Sequence, residues 1–516
     1  MPSTHQEYAQ RRAHFSSGAV AAVTEHLGRL SAWWVLLAAM LLGTILRLYQ
    51  LETLDLAYDE SATHYFSALP WADLWGPPAV LETNPPLYYS LAWLVHRLGG
   101  TLEQIRYVSA LAGVLCIPAA WALADRLAGR FAAAAAALLV ATSAGQIASS
   151  QLARGYSLLA LAVLVALLCL VAVRQPRVGG SPSRGRVAAW WAGYVAAALV
   201  ALYTHNTAPV ILAACNAAVL ASAVFDRRAR WPFLRAWLAA NVAVGIIYLF
   251  WVPVVLYQAA HGPSISWIPR PNIAELRYQV VRVYGQRFIA IGQPAVDLLF
   301  IAAMIWGAWC YRSSRLVVAL AVGVVAGGPL LMFVVSQWVP LIHAETLLWA
   351  GPVGLIFVAL GCSALGRARV WALALLLALQ LSGDALAIRS HTDEWQQAVA
   401  LIRANLRPGD TIFVAGPGTA LLLTHYGLPE RSLDTRAIAN GEAPWYRNFP
   451  GKVVAPDAVA AQAKALPRVW LVSRFWSAEH DAIAREIAAR SQLLLHYRSP
   501  RQGKGLEISL FARTGN

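Results

Sequence analysis

Two adjacent carboxylates, Asp59 and Glu60, follow Tyr58 just beyond the first long apolar run, and His64 comes one helical turn later. Carboxylates beside a bilayer are costly unless a partner or water meets them. The pair therefore either caps and ion-pairs a helix starting near Ser61, or does general acid–base work. Candidate partners are arginines: Arg106 opening a later apolar run, Arg154 beside Tyr156 at a junction of two runs, and Arg270, Arg277, Arg282 and Arg287 in a second polar segment. A planar guanidinium matches phosphate through paired hydrogen bonds, but it serves equally in a buried ion pair or against a lipid headgroup. A carboxylate base beside an arginine-rich anion site suits attack by a hydroxyl on a carbon bearing a phosphate leaving group. The carboxylate takes the proton and the arginines hold the departing charge.

The elements that must position these residues are membrane helices. Of 516 residues, 58% are hydrophobic and only 13% charged, with a mean hydropathy of +0.52; a soluble domain carries about 25% charge. Apolar runs of about 17–25 residues recur from Trp33 to Ile388, each long enough to cross a hydrocarbon core of roughly 30 Å as a helix. Strand-period alternation of the barrel kind is absent. The net charge of +15 could suggest nucleic-acid binding. Instead, the basic residues fall in small clusters between apolar runs, as cytoplasmic loops do. Those clusters are Arg126/Arg130, Arg174/Arg177/Arg184/Arg186, Arg227/Arg228/Arg230/Arg235, Arg312/Arg315 and Arg367/Arg369. Two runs separate each cluster from the next, so all share one side.

Leu87–Leu98 decides the parity. It is only about a dozen residues, follows Pro85-Pro86 and contains His96 and Arg97, so as a helix it reaches roughly 18 Å and does not cross. Spans then fall at 31–49, 107–125, 131–150, 156–173, 187–203, 208–225, 236–256, 295–311, 316–336, 346–364 and 370–388. That is about eleven, or twelve to thirteen if short runs also cross. Residues 1–30 are expected in the cytoplasm, with Ser31–Leu48 a retained span rather than a signal peptide. The membrane domain covers 31–388, with outer loops 50–106 and 257–294.

From Arg389 charge rises, and 389–516 reads as a small periplasmic α/β domain. Helices are expected at Asp393–Asn405, Thr419–Tyr426 and Glu479–Arg490, and strands at Thr411–Ala415, Val469–Ser473, Leu493–Tyr497 and Leu506–Ala512. Gly416-Pro417-Gly418 lacks a full dinucleotide or P-loop fingerprint and reads as a strand–helix turn. All five cysteines lie in apolar runs, which excludes a disulfide framework in this domain.

Four motifs occur in order: Tyr58-Asp59-Glu60, Asn84-Pro85-Pro86-Leu87-Tyr88-Tyr89, the run from Arg106 to Gly113, and Gln151-Leu152-Ala153-Arg154-Gly155-Tyr156. Together they resemble the GT-C integral-membrane glycosyltransferases, in the family 39 branch of protein O-mannosyltransferases and the lipid A aminoarabinose transferase. The motifs cover about 30–160, and the rest matches by architecture. The resemblance implies a GT-C fold in a bacterial inner membrane. It also implies inverting transfer of a sugar from a polyprenyl-phosphate donor to a lipid, glycan or protein acceptor. Carried over by position, Asp59 is the general base and Glu60 orients it or the acceptor. Arg106 and Arg154 support the site or bind donor phosphate, with Asn84 and Arg270 as further phosphate contacts. Tyr58, His64, Tyr88, Tyr156, Trp267, His343 and Glu345 would line the substrate. Relatives vary in metal use, so no metal follows and a divalent ion stays open.

Two departures stand out. Asn84 stands where relatives often carry a basic residue, and Glu345 where many carry arginine, which implies altered donor or acceptor handling, or phosphate binding shifted to His343 or Arg270. The rival readings are a transporter or flippase of lipid-linked sugars and a non-catalytic lipid- or glycan-binding relative. Transporters place charges at the midplane and repeat in halves; neither is evident here. Trp71, Trp75, Trp267, Trp338 and Trp349 fall at outer boundaries, as interfacial anchors or sugar-stacking platforms.

Overall fold

The computed structural model describes residues 33–76, 84–175, 183–224, 230–261, 268–286, 293–343, 345–389, 394–428, 434–438, 452–474, 478–499 and 505–513. A helix lies over each of the eleven expected spans: α1 Trp33–Leu48, α5 Leu102–Ala128, the pair α6 Arg130–Ala141 and α7 Ala144–Ser150, α8 Tyr156–Arg174, α9 Arg184–Thr204, α10 Ala208–Val224, α11 Arg230–Tyr248, α14 Gln293–Cys310, α15 Arg315–Leu320 continued by α16 Gly327–Val335, α17 Ala350–Ser363 and α18 Arg369–Arg389. Among the described residues, six helices are long and apolar enough to cross a membrane, seven if α6–α7 is one span. The segments expected as outer loops hold α2 Glu60–Ala68, α3 Trp71–Trp75, α4 Leu87–Arg97 and α13 Ile273–Tyr284, and α12 Val252–His261 runs from the expected span 236–256 into the second of them.

The bundle has two distinct ends. Arg126 at the end of α5 stacks on Trp190 of α9, Arg174 at the end of α8 stacks on Phe233 of α11, and Arg369 opening α18 stacks on Phe131 of α6. The described members of the arginine clusters therefore gather at one end, and α2, α4 and the α7–α8 junction sit at the other. The expected span 131–150 breaks at Thr142–Ser143 with a 56° bend. Such a break leaves the last carbonyls of α6 unpaired. Buried Arg47 answers them, donating from Nη1 to Ala141 O at 3.0 Å and from Nη2 to Val140 O at 3.1 Å. The expected span 236–256 ends early, at Tyr248, and α12 follows as a separate helix.

The C-terminal domain opens with α19 Glu394–Asn405 and holds a six-stranded sheet, order β3-β2-β1-β4-β6-β5. Its strands are β1 Thr411–Ala415, β2 Asp434–Ile438, β3 Lys452–Val454, β4 Arg468–Arg474, β5 Ser491–Arg498 and β6 Leu506–Arg513. The first four run parallel, and β6 and β5 are antiparallel additions. Central β1 is buried at all five positions, as a parallel strand covered on both faces must be. Helices α20 Pro417–His425, α21 Pro456–Ala463 and α22 Ala478–Ala488 complete the layers. Gly416 turns between β1 and α20 at φ +80°, so Gly416-Pro417-Gly418 is a strand–helix turn. One hydrophobic core joins the domain to the bundle: Leu56, Tyr58, Tyr88 and Ile105 pack together with Trp395, Ile402, Leu423 and Trp470.

Candidate active site

Glu60 and Arg106 form the foundation. Glu60 is the first residue of α2 and fully buried, and its Oε1 and Oε2 accept from Arg106 Nε and Nη2, both at 2.8 Å. Backbone N–H groups of Ala153 and Ala57 donate to the same two oxygens at 2.7 and 2.6 Å. A carboxylate offers about four acceptor positions, and all four are used. Arg106 spends its remaining donors on the carbonyls of Leu51, Leu54 and Asp55, at 2.8, 2.8 and 3.0 Å. A guanidinium carries five N–H groups, so none is left for a donor phosphate. Arg106 supports the site, and Glu60 holds the loop rather than facing a ligand.

Asp59 is different. It stands at the N-cap of α2 yet makes no capping hydrogen bond, it is exposed, and its carboxylate has no hydrogen bond among the described residues. The helix-capping reading of this residue is thereby excluded. Beneath it lies Arg154, nine-tenths buried at the α7–α8 junction. Its Nη1 donates to the Asp59 carbonyl at 3.3 Å and to the Tyr89 hydroxyl at 3.0 Å. The Arg154 carbonyl is itself held by Ser109 Oγ at 3.0 Å, and Ser109 bonds the Tyr88 hydroxyl at 2.7 Å. Tyr156, opening α8, lies within electrostatic reach of Arg154, Asp59 and Glu345. Asp59, Arg154 and Tyr156 thus lie together, and Glu345, which acts electrostatically on Tyr156, is 2.6 Å from His343 Nδ1.

His205 belongs here too, though it was not among the expected site residues. It caps α9, its ring lies 5.8 Å from that of Tyr156, and burial followed by the Arg154 charge holds its pKa down to about 3. The signal available in the sequence was a histidine in the short outer junction 204–207. Tyr89, quoted within a motif, also reaches the cluster through Arg154.

Other expected lining residues lie elsewhere. Tyr88 is buried as packing beneath Arg154, and Tyr58 is buried under the C-terminal domain. His64 sits in the domain interface, its ring 6.2 Å from that of His425, which is paired with Glu103 at 2.6 Å. Asn84 is half-buried with a polar partner. Arg270 is exposed two residues before Asn272, the N-cap of α13, and no hydrogen bond joins it to the cluster among the described residues. Trp267 lies outside the described residues. Trp71, Trp75 and Trp338 are exposed, but Trp349 is buried against Gly328 and is no boundary anchor. Among the described residues no three His, Cys, Asp or Glu side chains converge to hold a metal ion.

By sequence, no family model and no curated protein matches the chain. By structure, it is similar to ArnT from Cupriavidus metallidurans in the apo state, with a TM-score of 0.61 at 15% identity over 93% of this chain and 98% of that one. The same protein bound to undecaprenyl phosphate gives 0.60 at 15% identity, over 94% and 98%. The fold is the GT-C fold. The Archaeoglobus fulgidus oligosaccharyltransferase, in complex with Zn and sulfate, shares it with a TM-score of 0.52 at 14% identity, over 93% of this chain and 73% of that chain. Within this GT-C architecture the Asp59 cluster lies at the end of the bundle that carries the C-terminal domain, opposite the arginine clusters.

Proposed function

We propose that the chain is a glycosyltransferase. It would move a monosaccharide from a polyprenyl-phosphate carrier to a hydroxyl of a cell-envelope lipid, polysaccharide or protein, on the periplasmic face of a bacterial inner membrane. The observation that carries this is the division of labour between the adjacent carboxylates. Glu60 is saturated and buried, while Asp59 is exposed and held over a buried arginine by a loop whose backbone is pinned. The likeness to ArnT, a protein seen with undecaprenyl phosphate, supports the donor class.

In this reading the Asp59 carboxylate takes the proton of the acceptor hydroxyl as its oxygen attacks the anomeric carbon. The bond from that carbon to the carrier phosphate breaks on the opposite face, so the anomeric configuration inverts and polyprenyl phosphate departs. Arg154 supplies positive charge where the phosphate charge grows, and His343 or Arg270 is the further phosphate contact that the sequence offers. General-base catalysis contributes roughly 10²–10⁴-fold. The test uses proteoliposomes loaded with tritiated undecaprenyl-phosphate hexoses and pentoses and a delipidated envelope extract as acceptor. Transfer with inversion is expected from the wild type, and Asp59→Asn should cut it at least about a hundredfold at an unchanged melting temperature. Wild-type turnover by Asp59→Asn would refute the base role. No transfer by the wild type from any of these donors would refute the transferase reading.

A further inference from the structure

In sheets of this layout ligands bind at the carboxyl ends of the strands where the strand order reverses. In the C-terminal domain that point lies between β1 and β4, at Ala415 and Arg474. A residue of the membrane domain's outer loop occupies it. The Arg474 guanidinium lies 4.6 Å from the centre of the Tyr58 ring. On the other side, a Cβ at Gly418 would fall 2.7 Å from Ser61 Oγ and 3.0 Å from the Tyr58 hydroxyl. Only glycine lets α20 come this close, and the two residues it touches flank Asp59-Glu60.

A second set of contacts holds the segment leading into Tyr58. The Leu56 N–H donates to the Tyr426 hydroxyl at 2.8 Å, and Trp395 Nε1 donates to the Leu56 carbonyl at 2.9 Å. The Trp395 N–H donates to Asp55 Oδ2 at 2.8 Å. Arg106 grips the carbonyls of Leu51, Leu54 and Asp55 from the bundle side. The stretch from Leu51 to Ser61 is thus clamped from two bodies, and three of these six hydrogen bonds come from residues more than 300 positions later in the chain.

We propose that the C-terminal domain is a positioning element for Asp59: its switch-point crevice serves as a socket for Tyr58, and Trp395, Tyr426 and Gly418 are positioning residues. This rests on the transferase reading for its consequence, but the clamp itself is a physical claim that can be measured separately. Misplacing a catalytic group by about 1 Å costs on the order of 10²-fold in rate, so loosening the socket acts on turnover more than on donor binding.

The experiment uses the full-length protein in nanodiscs and follows amide hydrogen exchange across 51–61 together with transfer kinetics on the tritiated undecaprenyl-phosphate donors. Tyr426→Phe removes the hydroxyl that accepts the Leu56 N–H and also reaches the Asp55 side chain, and should speed exchange in 51–61 about tenfold or more while α8 stays protected. Gly418→Ala should do the same through the Tyr58 contact, and both should lower kcat about tenfold with the donor KM unchanged. Lys464→Ala, on the exposed face of the domain, should change neither. Wild-type exchange across 51–61 in a folded Tyr426→Phe protein overturns the clamp, whatever Gly418→Ala does to folding. Faster exchange with unaltered kcat overturns its role in positioning. If the wild type transfers no sugar, the exchange data alone decide the clamp, so the failure of the reaction and of the clamp are told apart.

Discussion

At the scale of single residues, two neighbouring carboxylates are given opposite fates by what reaches them. Glu60 meets a guanidinium and two backbone N–H groups and becomes part of the scaffold, whereas the Asp59 carboxylate accepts no hydrogen bond among the described residues and stays available. Which arginine would be consumed by Glu60 was not legible in the sequence. The partners are 46 positions apart, and Arg106 and Arg154 look alike until the helices are packed. His64 carries a pH dependence for the same neighbourhood. Burial first, then His425 and His96, hold its pKa at about 4 against an ordinary 6.5, with Glu103 pulling the other way. The folded form thus binds this proton less tightly than the unfolded form. The stabilisation is complete above pH 6.5 and is lost as the pH falls toward 4. Thermal unfolding between pH 7 and pH 4.5 should therefore show a falling midpoint, and His64→Asn should flatten that fall. An unchanged slope in the variant would assign the acid sensitivity elsewhere.

At the scale of elements, apolar run length and arginine spacing made the bundle readable, and strand-rich buried runs such as Thr411–Ala415 made the sheet readable. What escaped had weak or misleading patterns. Strand β2 begins Asp434-Thr435-Arg436 and is only half-buried there, so it lacks the apolar alternation of a strand. The break at Thr142–Ser143 lies in an alanine-rich run that hydropathy reads as continuous, and Arg47 satisfies it from 93 and 94 positions away. The eleven-residue helix α4 carries the topology. At 1.5 Å per residue it is about 16 Å long, roughly half a hydrocarbon core. It packs beside α2 and α5 at the Asp59 end, with Tyr88 and Tyr89 buried. A phosphatase reporter fused after Gly100 should be active in the periplasm of a bacterial host. Activity only of a cytoplasmic reporter at that position would reverse every later span.

The whole molecule is two-sided. The cationic helix ends lie at one end of the bundle, and the Asp59 cluster with the domain that clamps its loop lies at the other. The proposal takes the arginine end to face the cytoplasm, as the positive-inside rule expects. In the proposed reading, sugar transfer and the C-terminal domain share the outer compartment, where the acceptor would arrive. A flippase would use the same carrier but leave the sugar attached to it. The measurement that separates these is made in sealed proteoliposomes with the C-terminal domain outward, loaded with undecaprenyl phosphate bearing a tritiated sugar. Sugar on the external acceptor and free undecaprenyl phosphate are quantified together. One free carrier phosphate is expected for each sugar on the acceptor, and neither product when acceptor is omitted. Labelled carrier that crosses the bilayer with its sugar intact, and no sugar on the acceptor, would contradict the transferase reading.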